Sequence, residues 1–254
     1  ESSVKELEKG NLGAHISIKG SYEIQHLGKA IRSMAEQMRK LMDDVVAEQE
    51  SKRKSEMDAL QSQINPHFLY NTLDSIVWMV ENERYEGAIQ MVTALAKLFR
   101  ISLSKGKNII TVADELEHVR NYLTIQKIRY KNKFSYDITA EPETLSCQTI
   151  KLIVQPLVEN AIYHGMEFMD GDGEIHIRAY RKGKDLYIDV VDNGLGMPQE
   201  QADALLTEDT GKVRGKGSGI GLKNVQERIQ LYFGADYGLS LYSEPDEGTT
   251  ARIH

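Results

Sequence analysis

Four short stretches in the second half of the chain carry residue types able to act on a phosphorylated ligand. In "VENAIYHG", Glu159 and Asn160 are adjacent and His164 follows one helical turn later. The Asn160 carbonyl oxygen suits Mg²⁺, a hard cation that prefers oxygen ligands. Glu159 can act as a general base or bind through a water. A solvated polar face on an amphipathic helix explains this stretch, taken alone, at least as well. In "DNGLGM" (192–197), Asp192 ends the apolar strand "YIDVV". Gly194 and Gly196 let the backbone turn tightly beneath a carboxylate that can reach a base; an ordinary Asn-Gly turn is the plain alternative.

The third stretch, "GKGSGIGL", alternates Gly215, Gly217, Gly219 and Gly221 ahead of a helix. Stripped backbone and a helix N-terminus together bind phosphate. This is not the dinucleotide fingerprint, whose third glycine would fall at Ile220, and it lacks the Gly-Lys-Ser/Thr ending of a P-loop. Lys212, Arg214 and Lys216 just upstream can cover a triphosphate as part of a mobile lid. In the fourth, "EGTTARIH", Gly248 and Thr249 open the last strand, where a hairpin turn is again the plain alternative. "DGDGE" (170–174) lacks the later Gly and Glu of a calcium loop and reads as a turn.

A fifth feature lies in the first half. "QINPHFLYNTLDSI" (63–76) sits within a stretch that otherwise reads as helix, with Pro66 directly before His67. An interior proline costs a helix about 3 kcal/mol. It would free the Ser62 carbonyl and bend the helix beside His67, or only fit the helix to its bundle.

The elements that must position these residues follow from periodicity. Residues 1–20 read as a Gly-punctuated connector. Leu27, Ile31, Met34, Met38, Leu41 and Val45 then keep the spacing of a coiled-coil seam. The stripe resumes out of phase at Met57, Leu60, Ile64 and His67; Met57 follows Val46 by eleven residues, which suits a register shift. After "ENERYEG" (81–87) a second amphipathic helix carries Ile89, Val92, Leu95, Ala96 and Phe99. Such a hairpin buries too little alone, so two chains forming a four-helix bundle are expected, with a monomeric bundle completed by later helices as the alternative.

Beyond Asn108 the pattern becomes mixed. "TVADELEHVRNYLTIQKIRY" is expected as a helix capped by Thr111, with Asp114 and Glu115 favouring its first turn. A strand "FSYDI", a helix "QTIKLIVQPLVENAIYHG", a strand pair, the helix "IGLKNVQERIQLYFG" and a final strand pair follow. The expectation is an α/β sandwich from about 109 onward, a mixed sheet with helices on one face.

Composition sets bounds. The chain has 254 residues, 41% hydrophobic and 27% charged, with a net charge of −7. No nucleic-acid partner is expected, since phosphate binding needs clustered Lys and Arg. Cys147 is the single cysteine, which excludes an intramolecular disulfide and a Cys-rich zinc site. No apolar run approaches the roughly 20 residues of a membrane span. The polar start without an initiator Met reads as that of an excised fragment.

The order Asn box, Asp-x-Gly-x-Gly, alternating-Gly loop, Gly-Thr resembles the GHKL ATP-binding (Bergerat) fold shared by gyrase and the sensor histidine kinases. "QINPHFLYNTL", "ELEHVRNYLTIQKIRY" and "QPLVENAIYHG" resemble the LytS/YesM-type histidine kinases in particular, and the first residues resemble the second half of a HAMP linker. The resemblance implies an α+β chain in three parts. Residues 1–45 would be a HAMP remnant with a coiled-coil signalling helix. Residues 46–108 would be a dimerisation and histidine-phosphotransfer hairpin, a four-helix bundle in the dimer. Residues 109–254 would be the ATP-binding catalytic domain.

The function implied is a two-component sensor kinase. ATP with Mg²⁺ would phosphorylate His67, and the phosphoryl group would pass to an Asp of a response-regulator receiver domain. A GHKL-type ATPase or a degenerate kinase used as a nucleotide-dependent switch is the alternative. The nucleotide site would comprise Asn160 (also the Mg²⁺ ligand), His164, Asp192 on the adenine amine, Gly194, Gly196, Lys212, Arg214, Gly215, Gly217, Gly219, Gly221, Leu222 and Thr249. Catalytic roles would fall to His67, Glu159 and Asn71, the last orienting water for dephosphorylation. The chain departs from the commoner kinases at Phe68, where they hold an acidic residue, and at Tyr163, where they hold Lys. The chain would work as a homodimer, as the cytoplasmic part of a cell-membrane protein attached through segments outside this sequence.

Overall fold

The computed structural model describes residues 25–26, 28–31, 33–34, 36–45, 48–49, 66–102, 108–166, 171–207 and 218–254. The chain falls into two compact units, Glu1–Pro66 and His67–His254. In the first, every described residue between 25 and 49 is helical. Met34, Met38, Leu41 and Val45 of the expected seam are exposed there. The connector 1–20, Leu27, the second stripe at Met57, Leu60 and Ile64, its register shift and the Ser62 carbonyl lie outside the described residues. Among the described residues no helix is long and apolar enough to cross a membrane.

The second unit opens with a helical hairpin, α1 (Pro66–Glu81) and α2 (Tyr85–Ser102). Its apolar residues divide between two faces. Phe68, Met79, Ala88, Met91, Leu95 and Leu98 are buried, while Leu73, Val77, Val80, Ile89 and Val92 are exposed. The buried face packs on α3 (Val112–Arg129) of the same chain. Of the expected α2 stripe, Leu95 turns inward whereas Ile89 and Val92 remain in water, because α3 claims a neighbouring face. Thr111 caps α3 as expected, its hydroxyl accepting from the Asp114 N–H at 3.1 Å.

β1 (Ile109–Thr111) pairs antiparallel with β3 (Gln148–Ile150) at the base of α3. The main sheet contains β2 (Phe134–Ala140), β4 (Gly173–Lys182), β5 (Asp185–Asp192), β6 (Leu239–Glu244) and β7 (Gly248–Ile253), in the order β2-β4-β5-β7-β6. β2–β4 is parallel and the other pairs are antiparallel, which makes the sheet mixed. Alternation puts Ile175, Ile177, Ile188, Val190, Leu241 and Ala251 on the buried face. Helix α3, α4 (Gln155–Asn160) and α6 (Ser218–Phe233) add Leu123, Leu157, Val225 and Ile229 to that core. The opposite face carries polar pairs, such as the two-pronged Arg252–Asp189 bond with both contacts at 2.8 Å. α5 (Gln199–Thr207), against β6, had no counterpart in the periodicity.

One expectation is corrected. "QTIKLIVQPLVENAIYHG" is not a single helix: it is β3, a turn, the six-residue α4 and a π-helical turn at Ala161–Met166. Leu152 takes a left-handed φ of 59°, which no helix continues through, and Pro156 suits only a first turn. The buried Glu115 carboxylate holds this turn, accepting from the N–H groups of Leu152, Ile153 and Val154 at 2.8, 2.9 and 2.9 Å. Burial pushes the carboxyl up, opposed by those three donors and the Arg228 charge. Arg228, from α6, donates to the Lys151 and Leu152 carbonyls. Lys151 in turn donates to the Ser102 carbonyl at the end of α2, at 2.8 Å. Glu115 therefore does more than complement a helix dipole. It supplies from α3 the cap that α4 lacks in its own sequence.

His118 completes this joint. The Ser102 hydroxyl donates to the Leu98 carbonyl, so the Ser102 oxygen accepts from His118 Nε2 at 2.9 Å. Burial, aided by the Lys151 charge, pulls the imidazole down to about 4, so it is neutral near pH 7.

Candidate functional site

A pocket opens between the sheet and helices α4 and α6, and Asn160, Asp192, Gly196, Leu222 and Thr249 all line it. Each arrives from a different element: the last turn of α4, the end of β5, the loop after it, α6 and the start of β7. Leu157, Val190 and Met197 give it apolar walls able to hold a flat ring.

Among the described residues of this lining, Asp192 is the only titratable one. Its Oδ1 accepts from the Gly194 N–H at 3.0 Å. Burial raises the carboxyl to about 6, opposed by backbone donors from Gly194 and Thr249. The loop beyond is tied to the β6–β7 hairpin. The Met197 N–H donates to Ser243 Oγ at 3.0 Å, and Ser243 Oγ lies 2.8 Å from Thr249 Oγ1. Gln199 reaches the Leu241 carbonyl at 2.8 Å and accepts from the Ser243 N–H at 3.1 Å. Two glycines permit the fit. Gly196 has φ of 59°, and a Cβ there would stand 1.9 Å from the Glu244 carbonyl oxygen. At Gly248, φ is 106° and a Cβ would stand 2.0 Å from the Asp192 carbonyl oxygen.

Adjacent residues of α4 serve different neighbours. Asn160 lines the pocket, while the half-buried Glu159 turns to α3. Glu159 Oε1 accepts from Gln155 Nε2 at 2.8 Å. Burial raises its pKa, opposed by the Gln155 amide and the Tyr122 hydroxyl. Asn160 suits a Mg²⁺ ion that arrives with a nucleotide's phosphates. Asn160 lines the pocket and carries an amide oxygen, a hard ligand, and among the described residues no cluster of three acidic, His or Cys side chains would hold a metal without them.

His67 is exposed on the first turn of α1, with Asn71 Nδ2 at 3.2 Å from both ring nitrogens. Phe68 points inward and stacks on Tyr122, ring centroids 5.2 Å apart. Gly219 lies in the first turn of α6 and Gly221 follows it over Pro156. His164 lies in the π-helical turn, its side chain outside the described residues; Lys212, Arg214, Gly215 and Gly217 lie outside them altogether. Tyr122 and Ser243 are not marked in the sequence, and Glu115 is read there only as favouring the first turn of α3. For Tyr122 and Glu115 a further signal existed, since they share the apolar stripe of α3 with Val112 and Val119.

Residues 147–254 match the family described as "Histidine kinase-, DNA gyrase B-, and HSP90-like ATPase", and residues 55–134 match the family described as "Histidine kinase". The fold and its pocket thus define a GHKL-type ATPase domain preceded by helices of the histidine kinase type. The sequence is 39% identical over 223 residues to "Sensor histidine kinase YesM" of Bacillus subtilis (strain 168), covering 88% of this chain and 37% of that one. It is 36% identical to "Sensor histidine kinase BtsS" of Escherichia coli (strain K12), covering 77% and 32% respectively. It is 32% identical to "Sensor protein LytS" of Bacillus anthracis, covering 77% and 33%. The chain therefore spans between 32% and 37% of the length of these relatives. It belongs to the LytS/YesM-type sensor histidine kinase family.

Proposed function

We propose that this chain is the ATP-dependent autophosphorylating part of a two-component sensor kinase, with His67 as acceptor and a receiver-domain Asp as the next recipient. The observation that carries the reading is the convergence of Asn160, Asp192, Gly196, Leu222 and Thr249 on one pocket, in the same compact unit as an exposed histidine. Asp192 accepts from the adenine amine, and Asn160 would hold a Mg²⁺ whose charge would offset that of the phosphates. Lys212 and Arg214, with the loop glycines Gly215 and Gly217, cover the phosphates, and Gly219 and Gly221 let them approach α6.

A neutral His67 nitrogen forms a bond to the γ-phosphorus as the bond to ADP breaks, its electron pair leaving on ADP. The ring's remaining proton passes to the Glu159 carboxylate. Asn71, which carries both a donor and an acceptor, orients the imidazole and later a hydrolytic water.

The exposed apolar residues Leu73, Val77, Val80, Ile89 and Val92 support a second copy completing a four-helix bundle. The exposed seam at Met34, Met38, Leu41 and Val45 supports a coiled coil in residues 1–45. The three-part division at 45 and 108, and attachment to a membrane through the rest of a longer protein, belong to the same reading.

Incubation with γ-labelled ATP and Mg²⁺ tests it. The reading expects an acid-labile, base-stable label on the chain. Phosphate release without a covalent label would replace it with a GHKL ATPase acting as a conformational switch. Binding also has a pH signature. With the Asp192 carboxyl raised to about 6, affinity for a fluorescent ATP analogue is expected to fall below pH 6, approaching about tenfold per unit. Asp192→Asn should bind more weakly and lose that dependence. Fold stability without nucleotide runs the other way. A carboxyl raised from 3.8 to about 6 stabilises the fold at low pH, and that contribution is lost as pH rises through 6.

A further inference from the structure

The turn that leads into α4 is tied to four other parts of the fold, and Lys151 stands at its head. Lys151 is 4% exposed, and among the described residues its ammonium group has one hydrogen-bond acceptor, the Ser102 carbonyl at the end of α2, at 2.8 Å. Its backbone N–H donates to the Asn108 carbonyl just ahead of β1, at 2.9 Å. Arg228 of α6 donates to the Lys151 and Leu152 carbonyls, and Glu115 of α3 accepts from the next three N–H groups. Leu152 is left-handed at φ 59°, a conformation that persists for a branched side chain only where its surroundings over-determine it. The ties on this turn therefore hold or fail together. A buried ammonium with one acceptor costs more than an apolar chain of equal length, so packing does not account for a lysine here. Two of the tied elements also line the nucleotide pocket, α4 through Leu157 and Asn160 and α6 through Leu222.

We propose that Lys151 couples the nucleotide pocket to the histidine hairpin: a nucleotide lodged between α4 and α6 favours the seated 151–154 turn, and the seated turn presents the Lys151 ammonium to the last carbonyl of α2. A ligand shifts an equilibrium only by contacting its two states differently. Here one ligand touches both helices while Arg228 and the start of α4 hold the turn between them. When the turn is lost, α4 and α6 lose the part that sets their spacing, and the shared contacts weaken. By linkage, a bound nucleotide then opposes undocking of the α2 end. The Ser102 hydroxyl, bonded to His118, holds that end on α3 independently, so Lys151 adds the tie that responds to the pocket. The inference rests on nucleotide binding in the reading above and not on the acceptor assigned to His67.

The test is amide hydrogen exchange of residues 98–102, with and without Mg²⁺ and a saturating non-hydrolysable ATP analogue, in wild type, Lys151→Met and Arg228→Lys. Methionine keeps the length of the lysine stem and removes the donor. Lysine at 228 keeps the charge facing Glu115 and loses the fork that spans two carbonyls. In wild type the analogue is expected to slow exchange of this last turn of α2 at least about threefold. In either variant the slowing should shrink to under about 1.5-fold, with analogue affinity within about twofold of wild type because the docked state already predominates. The double variant should lose no more than either single one, as expected for a shared route. Analogue binding to wild type without slowing at 98–102, or full slowing in Lys151→Met, overturns the inference and leaves the pocket standing. Should Lys151→Met not fold, wild type and Arg228→Lys decide by the same readings. A wild-type chain that binds no analogue overturns the pocket reading and the inference together.

Discussion

Glu115→Ala is expected to destabilise the second compact unit by about 3–5 kcal/mol, the range for uncovering a buried, multiply bonded charged group. Its carboxylate is fully buried and accepts three consecutive backbone N–H groups, so truncation leaves three donors facing an apolar gap. It also leaves Arg228 without its counter-charge. Because the three donors form the turn that leads into α4, with Val154 at its N-cap, the loss extends to the pocket: Asn160 sits on the last turn of that short helix. Glu115→Gln should fall between, since the amide keeps one accepting oxygen but turns its own donors on the same N–H groups. Urea unfolding with matched slopes measures both. A change under about 0.5 kcal/mol for alanine, the level of an ordinary surface substitution, would show that Glu115 does not cap α4.

Gly248→Ala is expected to cost about 3 kcal/mol or more and to weaken nucleotide binding at least tenfold. A Cβ would stand 2.0 Å from the Asp192 carbonyl oxygen and 2.9 Å from the Asn193 Cα, and both obstacles are backbone. With φ at 106°, an L side chain is strained there whatever the space. Relief requires the β5 end to move away from β7, which shifts Asp192 and Thr249 together, the two polar groups on that side of the pocket. Gly183→Ala is the control. Its φ is also positive, at 65°, but a Cβ meets nothing within 4 Å, so it should cost only about 1 kcal/mol and leave binding unchanged. Equal effects for the two variants would mean that backbone strain alone, and not the close approach to Asp192, sets the cost.

The parts legible in the sequence were those whose signal is local. Alternation in "EIHIRAYRKG" and "KDLYIDVVDNG" marked β4 and β5, Thr111 marked the start of α3, and the glycines around Asp192 marked a tight backbone turn. The short α4 was misread because its cap comes from Glu115, 37 residues earlier than the Leu152 N–H it accepts, and no local pattern announces such a partner. The β1–β3 pair was missed for a similar reason: three-residue strands are too short for alternation to register. Nothing local marks Tyr122: its ring contact comes from Phe68 of α1, and its hydroxyl accepts from Gln126 one turn further along α3. Phe68 looked like the loss of a catalytic acid, whereas its ring stacks on Tyr122 and docks α1 on α3.

The central claim is that His67 receives the γ-phosphoryl group of a nucleotide bound in the Asn160–Asp192 pocket. The most direct measurement is labelling by γ-labelled ATP with Mg²⁺ in wild type and His67→Gln, with ATP-analogue binding measured on the same samples. The account predicts that the substitution removes the acid-labile label completely while nucleotide affinity stays within twofold. Undiminished labelling of His67→Gln at intact nucleotide affinity would contradict it.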